Sequence, residues 1–240
     1  MATLAIDLTA NKKYLIKNTS LDFHTANGSL AAGDLKKSGR IKSNKNQPFL
    51  ITDLTLADFH EVMARGPQII IHKDIGMILA KTGLNNAHRV VDAGGGSGAL
   101  CLALANVAKE VVVYELNPEH YDVIQKNIKL LNITNVILKQ QDVYKGIDET
   151  ELDLITFDLP EPHQALAHAA KSLKEGGHLI IYQPNLTQVQ EFLKNLKGSK
   201  LKLVEILELI ERKWKIEDKI MRPEFEMLGH TGFLVFCRKW

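Results

Sequence analysis

The rhythm of hydrophobic and polar positions changes near residue 65. Beyond it, continuous apolar runs alternate with helix-spaced stretches. Arg89-Val90-Val91 leads into a glycine-rich turn and a helix over about residues 98–107. Glu110 to Tyr114 (EVVVY) reads as a second strand, followed by a helix over about 118–131. Asn135 to Leu138 reads as a third, and Leu152 to Phe157 (LDLITF) as a fourth with a helix over about 163–173. His178 to Tyr182 (HLIIY) is a fifth, with a helix over about 187–196. Leu201 to Leu209 and Gly232 to Phe236 (GFLVF) are a sixth and a seventh. Strands that do not alternate with polar residues are buried on both faces, so this half predicts an α/β fold whose parallel sheet is covered by helices.

Residues 1–65 have a different pattern. Short apolar pieces (Tyr14-Leu15-Ile16, Phe49-Leu50-Ile51) are separated by the turn dipeptides Asn27-Gly28, Gly33-Asp34 and Ser38-Gly39. They predict a small N-terminal β domain over 1–65, with a short helix from Leu56 to Met63 leading out of it, and a second domain over 66–240.

Composition narrows the class. At 240 residues, 45% hydrophobic and 24% charged, the chain can bury a large core. It has no apolar run near the roughly 20 residues that cross a bilayer, and MATLAIDLTANKKY lacks a basic segment followed by an apolar one, so neither a signal peptide nor a membrane partner is expected. Two cysteines, Cys101 and Cys237, are too few for a disulfide framework and favour a cytoplasmic setting. A net charge of +2 does not announce a nucleic-acid binder, so that case rests on local patches. One such patch is Lys36, Lys37, Arg40, Lys42 and Lys45, which equally suits a solvated loop.

The clearest motif is Val90-Val91-Asp92-Ala93-Gly94-Gly95-Gly96-Ser97-Gly98-Ala99, a strand, a glycine turn and a helix start without a gap. Such a loop lets backbone approach a nucleotide-like cofactor closely. Gly94-x-Gly96-x-x-Ala99 formally fits a dinucleotide fingerprint. Gly94-x-Gly96-x-Gly98 after Asp92 fits an S-adenosylmethionine (SAM) loop. The acids decide for SAM. Glu115 ends the second strand, where a carboxylate can accept from both ribose hydroxyls. Asp142 follows the third, placed to accept from the adenine amino group. A dinucleotide fold needs only the second-strand acid, and a sulfonium cation suits a carboxylate-lined cleft. No metal is called for.

The fourth strand runs out through Phe157-Asp158-Leu159-Pro160-Glu161-Pro162. The end of this strand faces the transferred methyl group in such folds. Asp158 suits a ring nitrogen beside an amino group, such as adenine N1. It would accept from the amino group, orient N1 and stabilise the cation that methylation creates. Pro160 forces the chain out of the sheet.

These motifs resemble the tRNA (adenine-N1)-methyltransferases that modify position 58, and in archaea also 57, of the T-loop. The resemblance rests on Arg65 to Gly76 (RGPQIIIHKDIG), on Asp92 to Leu100, on Glu115 to His120 (ELNPEH), on Phe157 to Pro162, and on Met221-Arg222-Pro223 with Gly229 to Leu234 (GHTGFL). It covers nearly the whole chain and is closest to the archaeal and bacterial versions. It implies a class I SAM-dependent methyltransferase fold, a Rossmann-like seven-stranded sheet with an antiparallel last strand. It implies a homotetramer whose subunits jointly bind tRNA. It places cofactor contacts at Gln68, at the loop from Gly94 and Gly96 through Ser97, Gly98, Ala99 and Leu100, and at Glu115, His120, Asp142 and Asp158, with Asp158 nearest the chemistry. In that light His163 suits either stacking on a base or starting the next helix, Arg222 is a candidate substrate contact, and His230 with Thr231 suits either lining the adenine pocket or satisfying backbone groups in the turn entering the last strand; Met221-Arg222-Pro223 is expected in a loop before that strand. Trp214, between basic neighbours, suits either an RNA contact or a buried anchor, the anchor being preferred.

Three positions depart from the family pattern. Ile71-His72 stands where Tyr-Pro is usual, His163 where an aromatic often follows Pro-Glu-Pro, and Gly95 where Thr is usual. Two other functions compete with RNA methylation. One is a small-molecule methyltransferase of the corrinoid-pathway type, against which the N-terminal β domain and the GHTG motif argue. The other is a non-catalytic RNA-binding subunit, which would have lost Asp92, Glu115, Asp142 and Asp158.

Overall fold

A computed structural model describes residues 2–63, 69–217 and 219–240. The chain divides into two compact units, one of residues 1–67 with 126–134, the other of 68–125 with 135–240.

The first unit is built of short strands. β1 (Thr3–Asp7) and β2 (Lys12–Ile16) form a hairpin, and β3 (Phe23–Thr25) and β4 (Gly28–Leu30) form another. β5 (Gly39–Lys42) and β6 (Pro48–Asp53) complete a four-stranded antiparallel sheet in the order β2-β1-β6-β5. Its inner face buries Ala5, Ile16, Phe49 and Ile51 together with Leu30 and Leu35, and Tyr14 meets Phe23 edge-on at 5.9 Å. α1 (Leu56–Val62) follows, capped by Thr55, whose hydroxyl accepts from the Asp58 N–H at 3.2 Å.

The second unit opens with α2 (His72–Thr82), a helix that the hydrophobic pattern does not announce. It buries Ile75 and Ile78 on one face and stops at Gly83 in the left-handed region (φ 60°). Then come β7 (Arg89–Ala93), α3 (Ala99–Ala105), β8 (Glu110–Tyr114), α4 (Pro118–Leu131) and β9 (Val136–Lys139). β10 (Leu152–Phe157), α5 (Leu166–Ser172), β11 (Leu173–Gln183), α6 (Leu186–Leu196) and β12 (Leu201–Glu208) follow. The sequence leads to one helix over 163–173. The chain instead makes a 3₁₀ turn over Pro162–Ala165 before α5, and Leu173 already belongs to β11.

A hairpin of β13 (Trp214–Glu217) and β14 (Ile220–Pro223) precedes β15 (Phe233–Lys239). Met221-Arg222-Pro223 therefore lies in a strand rather than the expected loop. Arg222 is in register with Lys215 and Trp214 with Pro223, so backbone pairing with the preceding segment orders it. Trp214 is 56% exposed, which removes the reading that its own subunit buries it.

The main sheet has seven strands in the order β12-β15-β11-β10-β7-β8-β9. β11, β10, β7, β8 and β9 run parallel, and β15 enters antiparallel between β11 and β12, as the resemblance implies. The core lies among Val91, Val112, Ile155, Phe157, Ile181 and Val235. The topology brings the carboxyl ends of the parallel strands together at one edge, where α/β sheets bind ligands.

Candidate active site

The glycine loop between β7 and α3 is shaped by space as well as by torsion. Gly94, Gly96 and Gly98 have φ of 87°, 54° and 86°, a region that side chains disfavour. At Gly94 a Cβ would lie 2.0 Å from the Asp158 carbonyl oxygen, so only glycine lets the loop and the end of β10 touch. Gly95 has an ordinary φ, but a Cβ there would meet Ile124 Cδ1 at 2.6 Å and Val113 Cγ1 at 2.8 Å. The departure from Thr at this position thus goes with the side chains that fill the space beneath it. Ser97 is half-buried, and Ala99 and Leu100 are buried in the first turn of α3.

Acids surround this loop. Asp92, 1% exposed, accepts from the Thr156 hydroxyl through Oδ1 at 2.5 Å. Its Oδ2 is buried and has no hydrogen-bond partner among the described residues. Burial pushes the Asp92 carboxyl up to about 7, with the nearby Asp158 and Glu115 charges adding and the Thr156 hydrogen bond opposing. Glu115 is buried beyond β8. Its Oε2 accepts from the Gly96 N–H at 2.8 Å and its Oε1 from the Asn117 N–H at 2.8 Å. His120, exposed on α4, holds Nδ1 3.8 Å from Glu115 Oε2. Asp142 caps a 3₁₀ turn over Val143–Lys145, accepting from the Tyr144 N–H through Oδ1 at 3.0 Å, while its Oδ2 lies 3.9 Å from Lys145 Nζ.

Asp158 is half-buried at the end of β10, and its N–H donates to the Ala93 carbonyl at 2.9 Å. Burial first, and the Glu115 charge second, lift its carboxyl to about 6. Asp92, Glu115 and Asp158 therefore repel one another around the glycine loop. A cation placed among them would relieve that repulsion.

The remaining candidates stand in different settings. Gln68 lies outside the described residues, as do Arg65, Gly66 and Pro67 of the same segment. His72 opens α2 at the position where a proline would be favoured. His163 is half-buried in the 3₁₀ turn just beyond Asp158. Arg222 makes its contacts close by, donating to the Pro223 carbonyl at 3.0 Å and lying 3.9 Å over the Phe225 ring. His230 sits beside Pro184 and Glu208, which follow β11 and end β12. Its Nδ1 is 2.6 Å from Glu208 Oε1 and its Nε2 is 2.7 Å from the Pro184 carbonyl. Both partners accept only, so the ring satisfies both as an imidazolium, and Glu208 first, then Pro184, raises its pKa. Its two ring nitrogens are thus engaged within the protein.

Two further residues at this edge are not among the candidates above: Asp74, inside the RGPQIIIHKDIG segment, and Gln183, which no sequence signal marks. Asp74, wholly buried, accepts from Lys73 Nζ at 2.8 Å and from the Thr231 hydroxyl at 2.9 Å, joining α2 to the turn before β15. Gln183, the last residue of β11, donates from Nε2 to the Leu159 carbonyl at 2.7 Å. Both cysteines are free and buried. Among the described residues no helix is long and apolar enough to cross a membrane, and no cluster of His, Cys, Asp and Glu would hold a metal ion.

Known proteins share this arrangement. Residues 58–222 match the family model described as the tRNA methyltransferase complex GCD14 subunit. A TrmI from Methanocaldococcus jannaschii, named as a tRNA (adenine(57)-N(1)/adenine(58)-N(1))-methyltransferase, is 32% identical, with 95% of this chain and 91% of the relative covered. The crystal structure of a TrmI tRNA methyltransferase from Aquifex aeolicus superposes with a TM-score of 0.83 at 31% identity, covering 100% of this chain and 97% of that one. A SAM-dependent O-methyltransferase from Thermotoga maritima superposes with a TM-score of 0.91 at 26% identity, covering 99% and 92%. With its methyltransferase sheet, its glycine loop and these similarities, the chain belongs to the tRNA methyltransferase family of the GCD14 subunit and TrmI.

Proposed function

We propose that this protein is a SAM-dependent tRNA (adenine-N1)-methyltransferase that modifies position 58 of the T-loop, the position shared by the names of its TrmI relatives. The observation that carries the reading is Asp158, a half-buried carboxylate whose backbone is locked against the glycine loop at Gly94. The site fits the cofactor by its chemistry. The buried, unpartnered Asp92 Oδ2, the Glu115 carboxylate and the three positive-φ glycines form an anionic cradle that no Cβ obstructs. When bound, SAM supplies the methyl group as a sulfonium electrophile. Gly94, Gly96, Ser97, Gly98, Ala99 and Leu100 would line its path, with Gln68, Glu115, His120 and Asp142 around it.

Asp158 does the orienting. Its carboxylate accepts from the adenine amino group and aims the adjacent N1 lone pair at the methyl carbon. As N1 would take the methyl group, the methyl–sulfur bond would give its electron pair to sulfur as a neutral thioether; the positive charge then passes to the ring, and the same carboxylate stabilises it. With a pKa of about 6, Asp158 is ionised at neutral pH. His163 borders the adenine from the adjoining turn, and Arg222 is offered to the RNA from the β13–β14 ribbon. His230, engaged with Glu208 and Pro184, holds the turn before β15 rather than touching the base.

The RNA side of this reading uses Lys36, Lys37, Arg40, Lys42 and Lys45, all exposed on the first unit, as phosphate contacts. It treats residues 1–65 as a small β domain and 66–240 as the methyltransferase domain. It also includes a homotetramer in the cytoplasm, supported by the apolar surface of β12 and the ribbon and by the two free cysteines.

The test is methylation of an unmodified tRNA transcript with SAM, read by nucleoside mass spectrometry, with Asp158→Ala in parallel. The expected product is 1-methyladenosine, lost in the variant while SAM binding persists. A ribose-methylated product would favour chemistry like that named for the Thermotoga neighbour and overturn the N1 reading.

A further inference from the structure

The turn after β10 is gripped from outside at each of its first four residues. The Asp158 N–H donates to Ala93, and the Leu159 carbonyl accepts from Gln183 Nε2 at 2.7 Å. The Pro160 carbonyl accepts from Gln188 Nε2 at 3.5 Å, and the Glu161 N–H donates to the Tyr144 hydroxyl at 3.2 Å. The Gln183 bond is the shortest of the side-chain grips, and Gln183 is 0% exposed. Its other amide atom, Oε1, is buried without a hydrogen-bond partner among the described residues. A half-satisfied amide in a core is costly. The residue that ends the buried run Leu179-Ile180-Ile181-Tyr182 is thus a polar one, with its donor end committed to the Leu159 carbonyl.

We infer that Gln183 is a positioning residue for Asp158. Pro160 has no N–H, so the Leu159–Pro160 peptide can be held only by its carbonyl, and Gln183 holds it. Asp158 is then fixed on both sides, by Ala93 through the peptide before it and by Gln183 through the peptide after its neighbour. Without the Gln183 bond the turn can rotate and swing the carboxylate off the adenine amino group. This inference rests on the role proposed above for Asp158.

The experiment compares Gln183→Met, Gln183→Glu and Asp158→Ala, measuring kcat, SAM affinity by calorimetry, and Tm. Gln183→Met keeps the length and removes the donor. It is expected to melt near the wild-type temperature, since it removes the unpartnered Oε1 but leaves the Leu159 carbonyl without its donor, to bind SAM as the wild type does, and to lose about 10- to 100-fold in kcat. Gln183→Glu can donate only when protonated, so its activity relative to wild type is expected to rise as pH falls. Wild-type kcat in Gln183→Met overturns the inference, as does a loss that follows Tm and SAM affinity down together. Should Gln183→Met fail to fold, a pH-independent ratio for Gln183→Glu overturns it. If Asp158→Ala stays active, the underlying role of Asp158 falls. If Asp158→Ala is inactive and Gln183→Met is not impaired, only the inference about Gln183 falls.

Discussion

Asp92 is a carboxylate kept where water cannot reach it, and this has two opposite consequences for pH. Its pKa of about 7 lies above the ordinary 3.8, so the folded chain holds the proton more tightly than the unfolded one. Ligand-free protein should therefore lose stability as pH rises between those two values, and Asp92→Asn should shrink that slope in a melting series, leaving the smaller share from Asp158, whose carboxyl is raised to about 6. A cationic cofactor favours the ionised form instead. SAM affinity measured by calorimetry should strengthen from about pH 5.5 to about pH 8, and Asp92→Asn should weaken the trend and confine it to the lower pH range where Asp158 ionises. Gly94 offers a steric test at the same scale. Gly94→Ala adds a left-handed strain of about 1–2 kcal/mol and a Cβ that overlaps the Asp158 carbonyl. It should lower Tm and abolish SAM binding, whereas Gly33→Ala, where a Cβ meets nothing within 4 Å, should do neither. The glycines and acids were legible in the sequence because their meaning depends on strand ends. Gln183 was not, since one glutamine after HLIIY has no period and no motif.

Among the elements, those buried on both faces were read best. β8 and β10 match the apolar runs EVVVY and LDLITF residue for residue, and α4 matches its expected span of 118–131. α2 went unassigned because its start lacks a side-chain cap and its identity was masked by the motif it carries. The β13–β14 ribbon was missed for a physical reason: its strands are four residues each, charged, and ordered by each other rather than by a core. That ribbon and the edge strand β12 expose Val204, Ile216, Ile220 and Met221. If these apolar residues meet another subunit, Ile216→Glu with Met221→Glu should shift the assembly to a smaller species in light scattering without weakening SAM binding. An unchanged mass would remove the ribbon from the interface.

For the molecule as a whole, net charge conceals where charge acts. The chain carries only +2, yet the first unit sets five basic residues in water between Lys36 and Lys45. Reversing Lys37 and Arg40 to Glu should raise KM for tRNA several-fold, leave kcat near wild type, and make binding less steeply dependent on salt. The same values for wild type and variant would return that run to the solvated loop first suggested by its composition.

The order in which the sheet is made is a different matter from the order in which it is read. β15 is synthesised after the other six strands of its sheet but lies between β11 and β12. Until residues 233–239 leave the ribosome, β11 waits with an open edge and β12 has no strand partner, and the turn carrying His230 and Thr231 has nothing to close. The nascent protein thus passes through a stage with its cofactor loop already made and its sheet split, when stickiness between unfinished chains is greatest. A stall before β15 should yield aggregates rather than a slow enzyme.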